Sequence, residues 1–212
     1  MAQAIGSGRE VFAGRAIWHI NSTARGGGVA EMLQSLLGYA RGAGVDARWF
    51  AITAGPGFFE ITKRIHNNLH GATGDGGPLG SEERKIYEAG LAANAAELGE
   101  IVRGGDVVFL HDPQPAGLAR AMRVAGAHVV WRCHVGLDVP NEMARRAWEF
   151  LRPYVEQADS YLFLQARVRL GGPGGEEDLD RASVDRRLLA KEPGAQPSER
   201  RLDYRGDRPV GR

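Results

Sequence analysis

The chain has 212 residues and a mass of 22.9 kDa, with 43% hydrophobic residues, enough apolar content for one full α/β domain or two small ones. Its 27 Lys and Arg against 26 Asp and Glu leave a formal net charge of +1, which argues against a strongly basic nucleic-acid binder, because phosphate neutralisation needs a clustered cationic excess. One cysteine, Cys133, excludes an internal disulfide framework and a cysteine-rich zinc site, and with no apolar run near the ~18 to 20 residues of a membrane span the chain reads as cytoplasmic and soluble.

Short apolar runs alternate with amphipathic stretches from about residue 13 to 163, the pattern of βαβ units around a mostly parallel sheet. Residues 1–12 read as a flexible N-terminus. Arg15 to Ile20 is the first predicted strand, followed by the loop NSTARGGG and a helix that sets Val29, Met32, Leu33, Leu36 and Leu37 at helical spacing. Gly42 and Gly44 end that helix as a C-cap and turn would. VDARWFAI gives a second strand, FFEITKRIHNNLHG a short helix, and GATGDGGPLG a loop too poor in apolar residues to pack. A long helix then opens at Ser81, with Glu82 and Glu83 suited to its positive N-terminus. Asp106 to Leu110 is a strand that His111-Asp112-Pro113 terminates, and AGLARAMRVAG a helix. His128 to Cys133 is the next strand, EMARRAWEFLRPYVEQA a helix, and a last strand begins at Ser160. From Leu164 onward 20 of 49 residues are charged and no apolar period persists, so composition predicts a disordered tail.

In an open parallel sheet, ligands bind outside the carboxyl ends of the strands, and three groups stand at such ends. Gly26, Gly27 and Gly28 precede a helix, where backbone N–H groups can meet a phosphate or sugar; the alternative is a flexible turn. The dinucleotide fingerprint is not met, because Glu31 stands where a third glycine belongs, and no Gly-Lys-Ser/Thr follows to make a P-loop. His111 and Asp112, held beside Pro113 and Pro115, suit either a sugar-hydroxyl site or a capped turn. His134, with Asp138 nearby, either orients a hydroxyl and moves a proton or is a satisfied structural histidine. Lys63, Arg64, His66 and Asn67 form a polar cluster that a solvated helix face would equally explain. No Ser-His-Asp order, HExxH or paired-carboxylate signature supports a hydrolase or a metalloenzyme.

Six blocks, IWHINSTARGGGVAEML, DARWF, FFEITKRIHNNLHG, FLHDPQPAGL, WRCHVGLDVPNE and AWEFLRPYVEQADSYLF, together resemble the N-terminal half of the trehalose glycosyltransferring synthase type of glycosyltransferase family 4. The resemblance implies a three-layer Rossmann-like domain, one half of a GT-B enzyme whose two such domains face across a cleft. It implies a retaining transfer of glucose from a nucleotide diphosphate glucose to glucose, without a metal or a resident cofactor. Its implied partners are small sugars, with neither nucleic acid nor membrane, and homo-oligomers in full-length members. Gly26, Gly27 and Gly28 would lie beside the reacting sugar and diphosphate. His111, Asp112, His134 and Asp138 would line the acceptor side of the cleft, with His134 as the catalytic candidate, and Lys63 and Arg64 would belong to an acceptor-side helix. Oriented donors would then stabilise charge developing on the leaving diphosphate and the anomeric carbon.

Family members continue into a second domain that this sequence does not encode. Read one base later, with permitted synonymous codons, the residues after Phe163 become SRREYVWEGLEEKRISIAPSID and onward, which resembles the missing continuation. Residues 164–212 are therefore expected to be an out-of-frame translation, and the truncated chain to be inactive alone. A retaining trehalose phosphorylase fragment and a non-catalytic sugar-binding remnant are the alternatives.

Overall fold

A computed structural model describes residues 12–137 and 139–163, together with Val168–Arg169 and Asp178–Leu179. Strands β1 (Ala16–Asn21), β2 (Asp46–Ala51), β3 (Val107–His111), β4 (His128–Cys133) and β5 (Ser160–Phe163) form a parallel sheet in the order β2-β1-β3-β4-β5. Helices α1 (Gly28–Gly42), α2 (Pro56–Leu69), α3 (Ser81–Ile101), α4 (Ala119–Val124) and α5 (Glu142–Val155) make the connections, with one 3₁₀ turn at Ala116–Leu118. The expected α/β class and mostly parallel sheet are what the structure has. Of the tail expected to be disordered, only Val168–Arg169 and Asp178–Leu179 are described, as an antiparallel pair; the rest, like residues 1–11, lies outside the described residues.

The chain direction decides which helix covers which face. From β1 the chain steps outward to β2, then crosses back past β1 and advances through β3, β4 and β5. Right-handed crossovers put helices on opposite faces when the direction of travel reverses. Thus α1 alone packs on one face, where Leu33 and Leu37 meet Ala47 and, at the edge, Trp49. On the other face α2, α3, α4 and α5 bury Phe58, Ile65, Tyr87, Leu98, Met122 and Trp148 against Trp18, Ile20, Val108, Leu110, Val129 and Trp131. The three layers are therefore unequal, with four helices on one side and one on the other among the described residues.

Three local features hold the ends of the sheet. At the amino-terminal edge the buried Asp106 carboxylate accepts N–H bonds from Ala16 (2.8 Å), Arg103 (3.0 Å) and the Trp18 indole (3.0 Å), so both of its oxygens are engaged. At the carboxyl edge the buried Tyr87 hydroxyl donates to the Pro113 carbonyl (2.8 Å) and accepts the Gly117 N–H (2.9 Å). A Cβ on Gly117 would stand 2.7 Å from Leu91 Cδ1, so glycine permits this close approach. This anchoring breaks the predicted helix from Ala116 into the 3₁₀ turn and α4. Elsewhere the boundaries shift by a residue or two. Gly28 already belongs to α1, Pro56 opens α2 at a position where a missing N–H costs nothing, and Gly80 rather than Ser81 flanks α3, its N–H bonded to Glu83 Oε2 at 2.8 Å.

Candidate functional site

The order β2-β1-β3-β4-β5 reverses between β1 and β3, so the crevice for a ligand lies outside the carboxyl ends of these two strands. The loop after β1 carries Gly26 to Gly28 and the segment after β3 carries Asp112. Asn21, the last residue of β1, anchors the first loop: its Nδ2 donates to the Thr23 carbonyl (2.8 Å) and its Oδ1 accepts the Trp49 indole N–H (2.9 Å). Gly26 and Gly27 take φ of 72° and 88°, a region unfavourable to other residues, and all three glycines are exposed with open space around a hypothetical Cβ. No side chain caps the N-terminus of α1. Its N–H groups therefore face solvent on a loop whose backbone a ligand can approach closely.

His111 is the last residue of β3 rather than the first of a loop, because it pairs with Arg132 in the ladder to β4. Two strands away from solvent, it is 1% exposed. Its Nε2 lies 3.0 Å from Nδ1 of His19 on β1, so one ring donates and the other accepts, and its ring stacks on His134 at 5.5 Å and 14°. His19 in turn stacks on Phe109 at 5.0 Å. Burial first, then the neighbouring rings and Arg132, pushes His111 down to about 2; burial, then Arg132, pushes His19 down to about 4. Both imidazoles are neutral at pH 7 and offer one donor and one acceptor each.

Asp112 holds φ of +66°, the left-handed region that only a few non-glycine residues enter. Its backbone is fixed there by both neighbours of the turn: its N–H donates to the Arg132 carbonyl (2.8 Å), and its carbonyl accepts the Trp131 indole N–H (2.9 Å). The side chain thereby reaches His134, with Oδ1 accepting the His134 backbone N–H at 2.8 Å and lying 3.1 Å from its Nδ1. A carboxylate at Nδ1 favours the tautomer that donates there, which leaves Nε2 as the acceptor. That Nε2, His111 Nδ1 and Arg132 Nε are buried without a hydrogen-bond partner among the described residues. Such a constellation can orient a hydroxyl and take up or return its proton.

The end of α2 lies near enough for Asp112 to act on His66 electrostatically. His66 and His70 meet edge to face at 4.9 Å, and His66 is lowered by burial and by His70 while Asp112 pulls it the other way. Asn141 ties the loop before α5 to this corner, donating to the Gly71 carbonyl (2.8 Å) and capping Ala144 N–H (3.0 Å). Arg64 faces elsewhere. Its guanidinium grips both oxygens of Asp75 (2.6 and 2.9 Å) and the Pro78 carbonyl (2.6 Å), stapling the glycine-rich loop to α2. Lys63 is exposed on the same helix, and Asp138 lies outside the described residues. The structure thus unites His111, Asp112 and His134, sets Gly26 to Gly28 at the adjoining strand end, and engages Arg64 with its own loop.

Sequence reasoning missed His19 and Arg132. Each is a polar residue inside an apolar strand, WHI and VVWRC, and that break in the run is the signal that could have found them. A cavity of about 290 Å³ opens at the opposite edge of the sheet, lined by Arg15, Asp46, Arg48, Arg103 and Asp106. Its carboxylates are already engaged, Asp46 by Arg48 and Asp106 by three N–H donors, and it lies away from the strand ends where a switch point gathers ligands. Among the described residues no three His, Cys, Asp or Glu side chains converge as a metal ion would require.

Residues 19–168 match the family model described as the trehalose synthase N-terminal domain. The chain is 40% identical over 154 residues to a trehalose synthase of Pyrococcus horikoshii, covering 73% of this chain and 35% of that protein. It is 39% identical over 153 residues to a trehalose synthase of Rubrobacter xylanophilus, covering 71% and 35%. A trehalose phosphorylase of Pleurotus sajor-caju is 33% identical over 139 residues, covering 62% of this chain and 18% of its own length. The matches to the synthases span about a third of their length, and the family model's range takes in β2 to β5 with His19, His111, Asp112, Arg132 and His134. The chain belongs to the family of trehalose synthase N-terminal domains.

Proposed function

We propose that this chain is the acceptor-side half of a retaining glucosyltransferase that joins glucose from a nucleotide diphosphate glucose to a second glucose, forming trehalose. The observation that carries the reading is the His111–Asp112–His134 constellation at the switch point of a domain about 40% identical to trehalose synthases. The buried, neutral His111 imidazole beside an oriented carboxylate suits a polyhydroxyl ligand, since each sugar hydroxyl needs both a donor and an acceptor. His134 Nε2 orients the attacking hydroxyl and relays its proton, while the N–H groups at Gly27 and Gly28 face the charge that grows on the leaving group. In a two-domain enzyme of this kind the partner half supplies the rest of the donor contacts, so the present chain binds sugar without turnover.

Two measurements test this reading. Glucose added to the purified chain should perturb the His134 and Asp112 signals in a saturable NMR titration. A sensitive assay with nucleotide diphosphate glucose and glucose should yield no trehalose. Absence of sugar binding, or efficient trehalose formation by this chain, overturns it. The similarity to trehalose phosphorylases favours one second reading, in which inorganic phosphate replaces the nucleotide; incubating a two-domain homologue with trehalose and phosphate separates the two. We also read residues 164–212 as an out-of-frame extension. Genomic sequence around codon 163 tests that, and bases that fail to encode a continuing domain one position later refute it.

A further inference from the structure

Arg132 stands on β4 beside His111 in the parallel ladder, so its side chain leaves the sheet on the face that also carries His19 and Phe109. That is the face on which α1 is the only helix among the described residues. Its guanidinium is half-buried, its Nε is buried without a partner, and no carboxylate among the described residues lies within ion-pair distance. Asp112, the acid that acts on it electrostatically, gives Oδ1 to His134 and makes no ion pair with it. The surrounding rings do not share the charge, since His19 and His111 are neutral. A positive group taken partly out of water without an ion-pair partner is costly, and an anion bound there offsets that cost. Guanidinium forks match the oxygens of phosphate groups in pairs of parallel N–H bonds. The second, independent observation is His111 itself, 1% exposed with Nδ1 unpartnered in the same ladder rung.

From this we infer that Arg132, with His111 beside it, forms a subsite for phosphate-type oxygens at the β3–β4 strand ends. The inference rests on the proposed sugar-transfer reading and gives that site the cation its anionic co-substrate needs. The shared chemistry is a tetrahedral phosphate oxygen, carried either by inorganic phosphate or by the diphosphate of a nucleotide sugar.

The full 212-residue chain, labelled with ¹⁵N, is titrated separately with sodium phosphate, sodium pyrophosphate and uridine diphosphate glucose while the imidazole signals are followed. Saturable shifts at His111 and His19 are expected. Replacing Arg132→Gln should weaken the response at least tenfold, and Arg132→Lys, which keeps the charge but loses the fork, by less. A stronger response to phosphate than to the nucleotide sugar assigns the oxygens to free phosphate, and the reverse order to the diphosphate. No saturable shift with any of the three probes, or equal affinity in the wild type and Arg132→Gln, overturns the inference. Should Arg132→Gln fail to fold, shifts confined to Gly26–Gly28 in the wild type overturn it equally. Glucose binding that persists without any anion response defeats this inference alone and leaves the sugar-site reading standing; loss of both defeats both.

Discussion

Four helices lie on one face of the sheet and pack against Trp18, Leu110 and Trp131; α1 alone lies on the other, where His19, His111 and Arg132 stand one residue further along the same strands. Period-two alternation thus carries two different chemistries through one set of strands. On the crowded face the buried side chains are mostly apolar, as native packing density asks, and Tyr87 and Asn94 turn their polar atoms to loop backbone. On the sparsely covered face packing asks less, and buried polar groups with unpartnered atoms persist at the strand ends. Apolar packing is concentrated on one side, and the clustered imidazoles and the guanidinium on the other.

The largest test of that division is Trp148→Ala. Trp148 is 2% exposed and meets Trp131 edge to face at 5.8 Å, so its removal should cost about 3 to 5 kcal/mol in urea unfolding. A loss below about 1 kcal/mol would break the claim that packing on the four-helix face stabilises the fold.

Acid should act through the other face. His19 and His111 are held below the ordinary 6.5, at about 4 and about 2, so the unfolded chain takes up protons that the folded chain refuses. The stability they allow is fully present above pH 6.5. It falls as pH drops from there towards 4 and, for His111, on towards 2, by about 1.4 kcal/mol per pH unit for each imidazole that only the unfolded state protonates. In His19→Phe the urea midpoint should depend less steeply on pH between 6 and 4; an unchanged slope would mean that the histidine pair does not titrate on unfolding.

Asp112→Asn separates the two roles at one residue. Asparagine tolerates the left-handed backbone that Asp112 adopts at φ +66°, so unfolding should shift by only about 1 kcal/mol or less. Without the carboxylate, His134 loses its preferred tautomer, and glucose affinity should fall about tenfold. Equal loss of folding and binding would show that the residue is structural. The smallest effect belongs to Arg64→Ala. Its partner Asp75 is exposed, so releasing the 71–80 loop should lower the urea midpoint only slightly and leave sugar affinity unchanged. A large drop in that affinity would instead return Arg64 to the site.

How far the sequence could be read depended on the range of the interactions involved. The strand DVVFL, the amphipathic repeat of α1 and the glycines that end it are written within a few residues, and those elements stand where periodicity puts them. The split of the helix after Pro115 could not be read locally, because Tyr87, about 30 residues earlier, pins Gly117 and decides it. His111 and Asp112 stood out as polar residues at a strand end. Their partners did not: His19 is 92 positions from His111 and Asp112 is 22 from His134, and no local pattern joins them. The sequence by itself determined the alternation of strands and helices, the near-neutral charge and the glycine-rich first turn, all properties of neighbouring residues. Only the tertiary structure decided which face each strand residue takes, because that follows from strand order and crossover hand. Those two choices left three imidazoles and a guanidinium together on the less covered side.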